Sequence, residues 1–337
     1  MARFIISRIG ATLAVLFFAS LIAFLLLRVS PGDPARQVLG PQASAQAVAS
    51  LRSEMGLDKP LPVQYVNYMS DLAHGDVGTS WRTHTQVSAE LSNRIPATLE
   101  LALAAIFLSI FIAIPVGVLS AGRRRWVDRA SRAGAVLGLG TPPFWLGLVL
   151  ILVFFTWLGW APAPFGRLDG NIPVPPKVTG LLTIDALLHG DLTAFGNAVA
   201  HLVLPAITLA VPLAAYLSRI VRRSTVDVYR LDFIRTARAK GAGERRVLFR
   251  HALPNALLPV LTLSTLYFGE LLAGSLLVEA VFNWPGIGGY VAQSIVAQDF
   301  APVQGAILLG ALTYSLLSLT TDVLYGVADP RIRVSHG

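Results

Sequence analysis

The sequence predicts an all-α polytopic membrane protein with six transmembrane helices. Three observations carry this reading. Of 337 residues, 54% are hydrophobic and only 14% charged, with a mean hydropathy of +0.62; soluble domains carry about a quarter charged residues. Uncharged apolar runs of the length that crosses a bilayer as a helix, about 20 residues, recur along the chain. These runs lack the alternation over about ten residues that a barrel strand would need. Soluble globular, disordered and collagenous classes are excluded by the same composition.

The runs follow in order at residues 9–27, 101–122, 133–166, 192–218, 252–279 and 300–321. The first is longer than the apolar region of a signal peptide, and no small-x-small cleavage site follows it, so it reads as a retained helix. The third is too long for one helix, so Pro162 and Pro164 are expected beyond its end, and Pro142-Pro143 is expected to break or kink it. The fifth continues past Glu270 to about Glu279. Gly134 and Gly138 form a small-xxx-small pair suited to a helix contact.

Orientation follows from Lys and Arg in the connections. The N-terminus, the second-to-third connection, the stretch 219–250 and the tail hold two, five, ten and two basic residues, which is nineteen of the 27. The net charge of +8 is therefore read as topology rather than nucleic-acid binding, and both termini are expected in the cytoplasm. The expected organisation is a first helix at 1–28, an extracytoplasmic segment at 29–95, a core of five helices at 96–327 containing a loop at 222–254, and a cytoplasmic tail at 328–337.

The segment 29–95 opens on the turn sequence Ser30-Pro31-Gly32-Asp33-Pro34. Ala45, Val48, Leu51 and Met55 then recur at helical spacing, with Gly56 placed to end that helix. A second external loop, 161–191, is expected to be irregular because Pro162, Pro164, Pro173, Pro175 and Pro176 crowd it.

Several chemistries find no residues here. The chain lacks Cys, a Walker-type G-x-x-x-x-G-K-[ST] run, H-E-x-x-H and a G-x-S-x-G elbow. The six His residues do not pair at metal-ligand spacing. The chain is not expected to be an enzyme, nor to hold a metal or cofactor of its own.

The informative loop runs from Leu231 to Pro254. Asp232 reads as an N-cap, with Phe233 to Lys240 as two turns of helix. Arg235, Arg238 and Lys240 suit the negative end of that helix, and Gly241 suits a left-handed terminator. A second helix is expected from about Gly243 toward Pro254. A short helix held between two spans can act as a peg that a partner grips; the alternative is a solvated basic loop with no partner. Glu270, Glu279 and Asp322 lie in or near apolar spans, where carboxylates face an interior or a water-filled cavity. Glu270 is nearest mid-span and the leading pathway candidate, while helix-end positions suit Glu279 and Asp322 equally well. Trp145 is a further candidate for a pathway or subunit interface, and His201 for packing.

The loop resembles the EAA loop of ABC-importer permeases. Arg235-Thr236-Ala237 stands at the E-A-A place, Gly241 at its glycine, and Leu253-Pro254 at its Leu-Pro after the nine residues 242–250 and His251-Ala252. Arg235, Thr236 and His251 depart from the general pattern, but Phe233-Ile-Arg-Thr-Ala-Arg-Ala-Lys-Gly241 matches the peptide/nickel subfamily. Further segments are similar to the B-type subunit of dipeptide and oligopeptide permeases: Pro31-Gly32-Asp33-Pro34, Gly56-Leu57-Asp58-Lys59-Pro60, Gly75-Asp76-Val77-Gly78-Thr79-Ser80, Arg94-Ile95-Pro96-Ala97-Thr98-Leu99-Glu100, Thr141-Pro142-Pro143-Phe144-Trp145, Glu279 through Gly288, and Asp329-Pro330-Arg331.

The resemblance implies a type I ABC importer permease fold in a bacterial plasma (inner) membrane. It implies a C-type second permease, two cytoplasmic ATPases that bind ATP and Mg, and an extracytoplasmic binding protein. Asp232, Arg235, Thr236, Ala237, Arg238, Lys240, Gly241, Ala242, Glu244, Arg245 and Arg246 would seat in an ATPase groove. Peptide, as di- or oligopeptide, is the default cargo; nickel complexes, glutathione or haem are alternatives, and an ATP-independent transporter or channel is the rival class.

Overall fold

The computed structural model describes residues 2–29, 34–40, 42–121 and 125–328. They fold as helices joined by turns. The chain divides into two units, Met1–Pro96 with Gly286–Gly337, and Ala97–Pro285.

The first unit contains α1 (Ala2–Val29), α2 (Pro34–Leu39), α3 (Ala45–Glu54), α4 (Leu61–Ala73) and the start of α5 (Val87–Ala121). The expected helix near Val48 is α3. Ser44 caps it by accepting from the Ala47 amide, and Gly56 follows it at φ +65°. The Pro31-Gly32-Asp33 turn and the Asp329-Pro330-Arg331 segment lie outside the described residues.

The second unit holds the rest of α5, then α6 (Arg125–Gly140), α7 (Pro143–Leu150, continuing with π-helical pitch over Ile151–Trp157), α8 (Leu182–Leu188) and α9 (Leu192–Val228). There follow α10 (Asp232–Ala239), α11 (Glu244–Arg246, continuing with π-helical pitch over Val247–Ala252), α12 (Leu253–Ala256), α13 (Leu258–Gly274) and α14 (Leu276–Val281). Back in the first unit, α15 (Ile287–Val296) and α16 (Phe300–Ala328) close the chain; α16 lies along α1, and Gln304 donates to the Ala23 carbonyl at 2.7 Å.

Among the described residues, three helices are long and apolar enough to span a membrane: Val87–Ala121, Leu192–Val228 and Phe300–Thr320. Two bent pairs raise this to five, Ala133–Gly140 with Pro143–Trp157 at 100° and Glu244–Ala256 with Leu258–Leu272 at 44°. The apolar part of α1 with described side chains, Ile9–Leu25, is shorter. The 100° break falls at Pro142-Pro143, as expected, because proline excludes its predecessor from helical geometry and brings no amide of its own.

Hydropathy set the helix limits too narrowly. The helix α5 starts fourteen residues before residue 101, and α9 ends ten residues after 218. Charge ends a membrane span but not a helix, which continues until a cap or a bend stops it. Asp191 caps α9 by accepting from the Ala194 amide at 2.9 Å. At 37 residues, α9 is about 55 Å long, well over a hydrocarbon core of about 30 Å.

Close helix crossings hold the second unit together. A Cβ built on Gly117 of α5 would lie 2.5 Å from the Val221 Cβ and 2.8 Å from the Ser218 carbonyl of α9. One built on Gly138 of α6 would lie 2.8 Å from the Ala215 Cβ, whereas Gly134 meets nothing within 4 Å. Only one member of the small-residue pair therefore makes a contact. The loop after α7 is irregular to residue 181 and is pinned by polar contacts, but the rest of the stretch 161–191 is not irregular: α8 occupies Leu182–Leu188, beyond the last of the crowded prolines, Pro176.

Adding methyls at these crossings tests the packing. Gly117→Ala and Gly138→Ala should each lower stability by about 1–3 kcal/mol through overpacking, and Gly134→Ala should stay within about 0.5 kcal/mol. Thermal melting of the purified chain in detergent reads the difference; equal shifts at Gly134 and Gly138 would contradict the crossing.

Candidate functional site

The loop after α9 forms the peg. Its first helix, α10, ends at Lys240, and Gly241 reverses the chain at φ +81°. That left-handed geometry costs a residue with a Cβ about 1–2 kcal/mol. Asp232 is not the N-cap. Leu231 occupies that place with no side-chain cap, and Asp232 is the first helical residue, 3.2 Å from Arg235. The acid there complements the helix dipole just as a capping acid would, which is why the pattern looked like a cap.

The peg is seated on its own stem. Ile234 is fully buried with Val228, Val247, Ala252 and Ala256, and Tyr229, Ala237 and Ala242 pack around them. Across the reversal, Arg238 donates through both Nε and Nη2 to Glu244, at 2.7 and 3.0 Å, with its guanidinium 5.4 Å from the Tyr229 ring centre. The Glu244 carboxylate raises the already high pKa of Arg238. Burial pushes the Tyr229 phenol up, and Glu244 adds to that. The outer surface offers Arg235, Thr236, Lys240, Arg245 and Arg246 together with the exposed apolar side chains of Leu231 and Phe233.

A second polar construction lies deep in the same unit. Glu279 of α14 is 0% exposed. Its Oε1 accepts from the Thr98 hydroxyl at 3.0 Å and the Ser275 hydroxyl at 2.7 Å. Nearby, Trp284 Nε1 donates to the Ala97 carbonyl at 2.9 Å. One turn of α5, at Ala97 and Thr98, is thereby clasped to the broken end of the fifth apolar run. Two residues further on, buried Glu100 pairs with Arg167 and accepts from the amide and hydroxyl of Thr183, at 2.7 and 2.6 Å.

The other candidates separate. Glu270 is exposed on α13, as a lining or interface residue must be, and Trp145 is 52% exposed on α7. Glu279 is enclosed within the chain, with its carboxylate held by Thr98 and Ser275. Its spacing of three residues from Phe282 and five from Trp284, both buried, is the sequence signal that sets it apart. The Asp322 side chain lies outside the described ones. His201 is buried, with Nε2 3.1 Å from Asp169 Oδ1, while Asn197 exchanges two hydrogen bonds with Asp169. The Asn197 amide and then His201 hold the Asp169 carboxyl below its usual range. At Asp185, burial works to raise the carboxyl pKa, but donors from Thr179 and Gly180 outweigh it and leave the value lowered.

Helices long and apolar enough to span a bilayer, with a basic loop packed on their stem, define a polytopic membrane protein. The chain belongs to the family of binding-protein-dependent transport system inner membrane components, which matches residues 113–334; the N-terminal companion of that family matches residues 1–102. It is thus a multi-pass permease of the ABC type rather than a catalytic enzyme. It is 46% identical over 312 residues to the probable D,D-dipeptide transport system permease protein DdpB of Escherichia coli K12, covering 92% of each chain. It is 42% identical over 339 residues to the di/tripeptide transport system permease protein DppB of Pseudomonas aeruginosa, covering 99% of each. It is 40% identical over 334 residues to the dipeptide transport system permease protein DppB of Alkalihalophilus pseudofirmus, covering 99% of this chain and all of the relative.

Two outcomes are expected at these sites. Glu279→Ala should cost about 2–4 kcal/mol, as a cavity and disturbed hydroxyl partners combine, and Glu279→Gln, which keeps an acceptor, should cost less; the order of melting temperatures decides. The lowered Asp169 pKa means its contribution is present above the ordinary carboxylate value near about 3.9 and is lost as pH falls through the depressed folded value. Proteolysis of the 161–181 loop should accelerate only in that acid range, and in Asp169→Asn that acid step should be absent.

Proposed function

We propose that this chain forms half of the translocation pathway of an ATP-driven peptide importer and is driven through α10. In this reading six helices cross the plasma membrane, with α1 the first and both termini in the cytoplasm, as the bias of Lys and Arg toward one side supports. Residues 29–95 lie outside the cytoplasm, 96–327 form the permease core, and 328–337 the tail. The relatives named for dipeptide and di/tripeptide transport support a short peptide as cargo.

The partners are a related second permease, two ATPases holding ATP and Mg, and a binding protein that delivers cargo. Residues Asp232, Arg235, Thr236, Ala237, Arg238, Lys240, Gly241, Ala242, Glu244, Arg245 and Arg246 make up the ATPase-coupling element. Glu270 and Trp145 face the pathway or the second permease, and Asp322 is kept as a candidate for the same surface.

The observation that carries the proposal is the seat of the peg. ATP binding must shift the balance between inward-open and outward-open arrangements, and reversing a 1:99 balance takes about 5.5 kcal/mol. A peg transmits such work only if it moves with its stem. Ile234, Val247 and Ala256 lock α10 to both flanking helical segments, so displacement of α10 displaces α9 and α12 together.

Gly241→Pro and Ala237→Trp should therefore insert normally, yet reduce ATP-driven peptide uptake in proteoliposomes by tenfold or more, about 1.4 kcal/mol of lost coupling. ATPase subunits should also copurify less. Undiminished uptake by both variants, or uptake by the wild type without nucleotide, would sink the proposal.

A further inference from the structure

The proposed reading places α1 across the membrane with its C-terminal end outside, and the following inference rests on that placement. Its apolar run, residues 9–27, extends about 28 Å as helix, so Phe17 sits about 15 Å and Phe24 about 5 Å from the outer limit. The helix α4 reaches that depth. The Tyr65 ring lies 6.2 Å from the Phe17 ring and 5.2 Å from the Phe24 ring, and its hydroxyl is 2.9 Å from Ser20 Oγ. The Tyr68 ring lies 5.7 Å from Phe24. Phe17 is itself 48% exposed, on a face shared with Leu13, Phe18 and Ile22, so α4 borders side chains that the bilayer must cover.

The sequence of α4 suits the same surroundings. Residues 60–70 carry no charge, while Asp58 and Lys59 precede them and Asp71 follows. Leu61, Val63, Val66 and Met69 are exposed, Val66 at 65%. In water such a set of aliphatic side chains on one short helix is a liability; at a lipid boundary it is the buried side of an in-plane helix. Pro60 and Pro62 remove two amide donors from the helix start, where unmet donors are most costly in an apolar medium. Gln64 closes the preceding turn by donating to the carbonyls of Leu57 and Lys59, at 3.1 and 2.7 Å. Tyr65 and Tyr68 stand where interfacial aromatics stand in membrane proteins.

We infer that α4 is an interfacial helix of the extracytoplasmic leaflet, with Val63, Val66 and Met69 laid against lipid acyl chains. The external segment is then not wholly in water: one of its helices rides on the bilayer beside α1.

The lack of cysteine in this chain makes the test direct. A nitroxide is placed on Val66→Cys, with Val63→Cys as a second probe, in the assembled transporter with cysteine-free partners, in lipid vesicles. Gln46→Cys on α3 serves as the water control and Ile22→Cys on α1 as the lipid control. Relaxation by oxygen relative to a water-soluble nickel chelate should be roughly threefold or more higher at Val66 and Val63 than at Gln46, approaching Ile22. A ratio at both probes equal to that of Gln46, with Ile22 lipid-like, overturns the inference and leaves the proposed topology standing. Exclusion of both reagents from both probes marks a protein partner on this face and also overturns it. A water-like Ile22 removes α1 from the bilayer, and the topology falls together with the inference.

Discussion

A carboxylate enclosed inside a membrane chain has to be satisfied where it sits, because neither water nor lipid will do it. In this protein that constraint falls on Glu279. The hydroxyls of Thr98 and Ser275 meet it, and the Trp284 indole fixes the adjacent Ala97 carbonyl. The two halves of this clasp are 181 residues apart in sequence. One belongs to α5 and the other to the interrupted end of the fifth apolar run. A broken span is soft unless its break is tied to something rigid, and the clasp supplies that tie. Leu101, Ala105, Leu204, Leu209, Val278 and Phe282 then pack into one cluster around the same point.

From there a continuous body of packed side chains leads to the peg, and α9 is its backbone. Leu204 and Leu209 belong to the cluster at the clasp, Leu213, Leu217 and Val221 to the next, and Val228 to the cluster under α10. Close-packed interiors have few ways to deform gradually, so a displacement imposed at one end is passed on rather than absorbed. The bare crossings at Gly117 and Gly138 serve the same end by letting α5 and α6 lie directly on α9. The length of α9 matters as well: in the proposed topology its 37 residues are enough to carry the peg beyond the hydrocarbon.

Much of this was legible in the sequence, and what was missed has a common cause. Apolar runs located the three long apolar helices and the two bent pairs, because lipid allows little else there. Pro142-Pro143 announced the 100° break, and Gly241 announced the left-handed reversal, since each depends on one residue's own geometry. Helix ends escaped because charge marks the edge of lipid and not the end of a helix, as Arg94 in α5 and Arg222 in α9 show. For Glu279 the sequence leaves a pathway, an interface and a helix end open, because one of its two partners, Thr98, lies 181 residues away. The segments 94–100 and 279–288 did stand out as resemblances. Their polar members, Arg94, Thr98, Glu100, Glu279 and Trp284, all find partners, but spacing alone could not say which.

The character of the peg follows from comparing magnitudes. Its basic side chains are conspicuous, yet the Asp232–Arg235 pair is largely exposed, and exposed pairs contribute about 0–1 kcal/mol each. Even several such contacts to a partner are weakened by salt and held by flexible side chains, so they steer and orient more than they pull. In the proposed mechanism the work of moving the spans passes instead through the apolar seat, where Ile234 is fully enclosed; the Arg238–Glu244 bridge is exposed like the other pair and only holds the loop's shape. Departure of residues 235–237 from an acidic-first pattern is thus tolerable on physical grounds: Arg235 lies on the outer face, while the positions that bind peg to stem, Ile234, Ala237 and Ala242, remain small or aliphatic and turned inward.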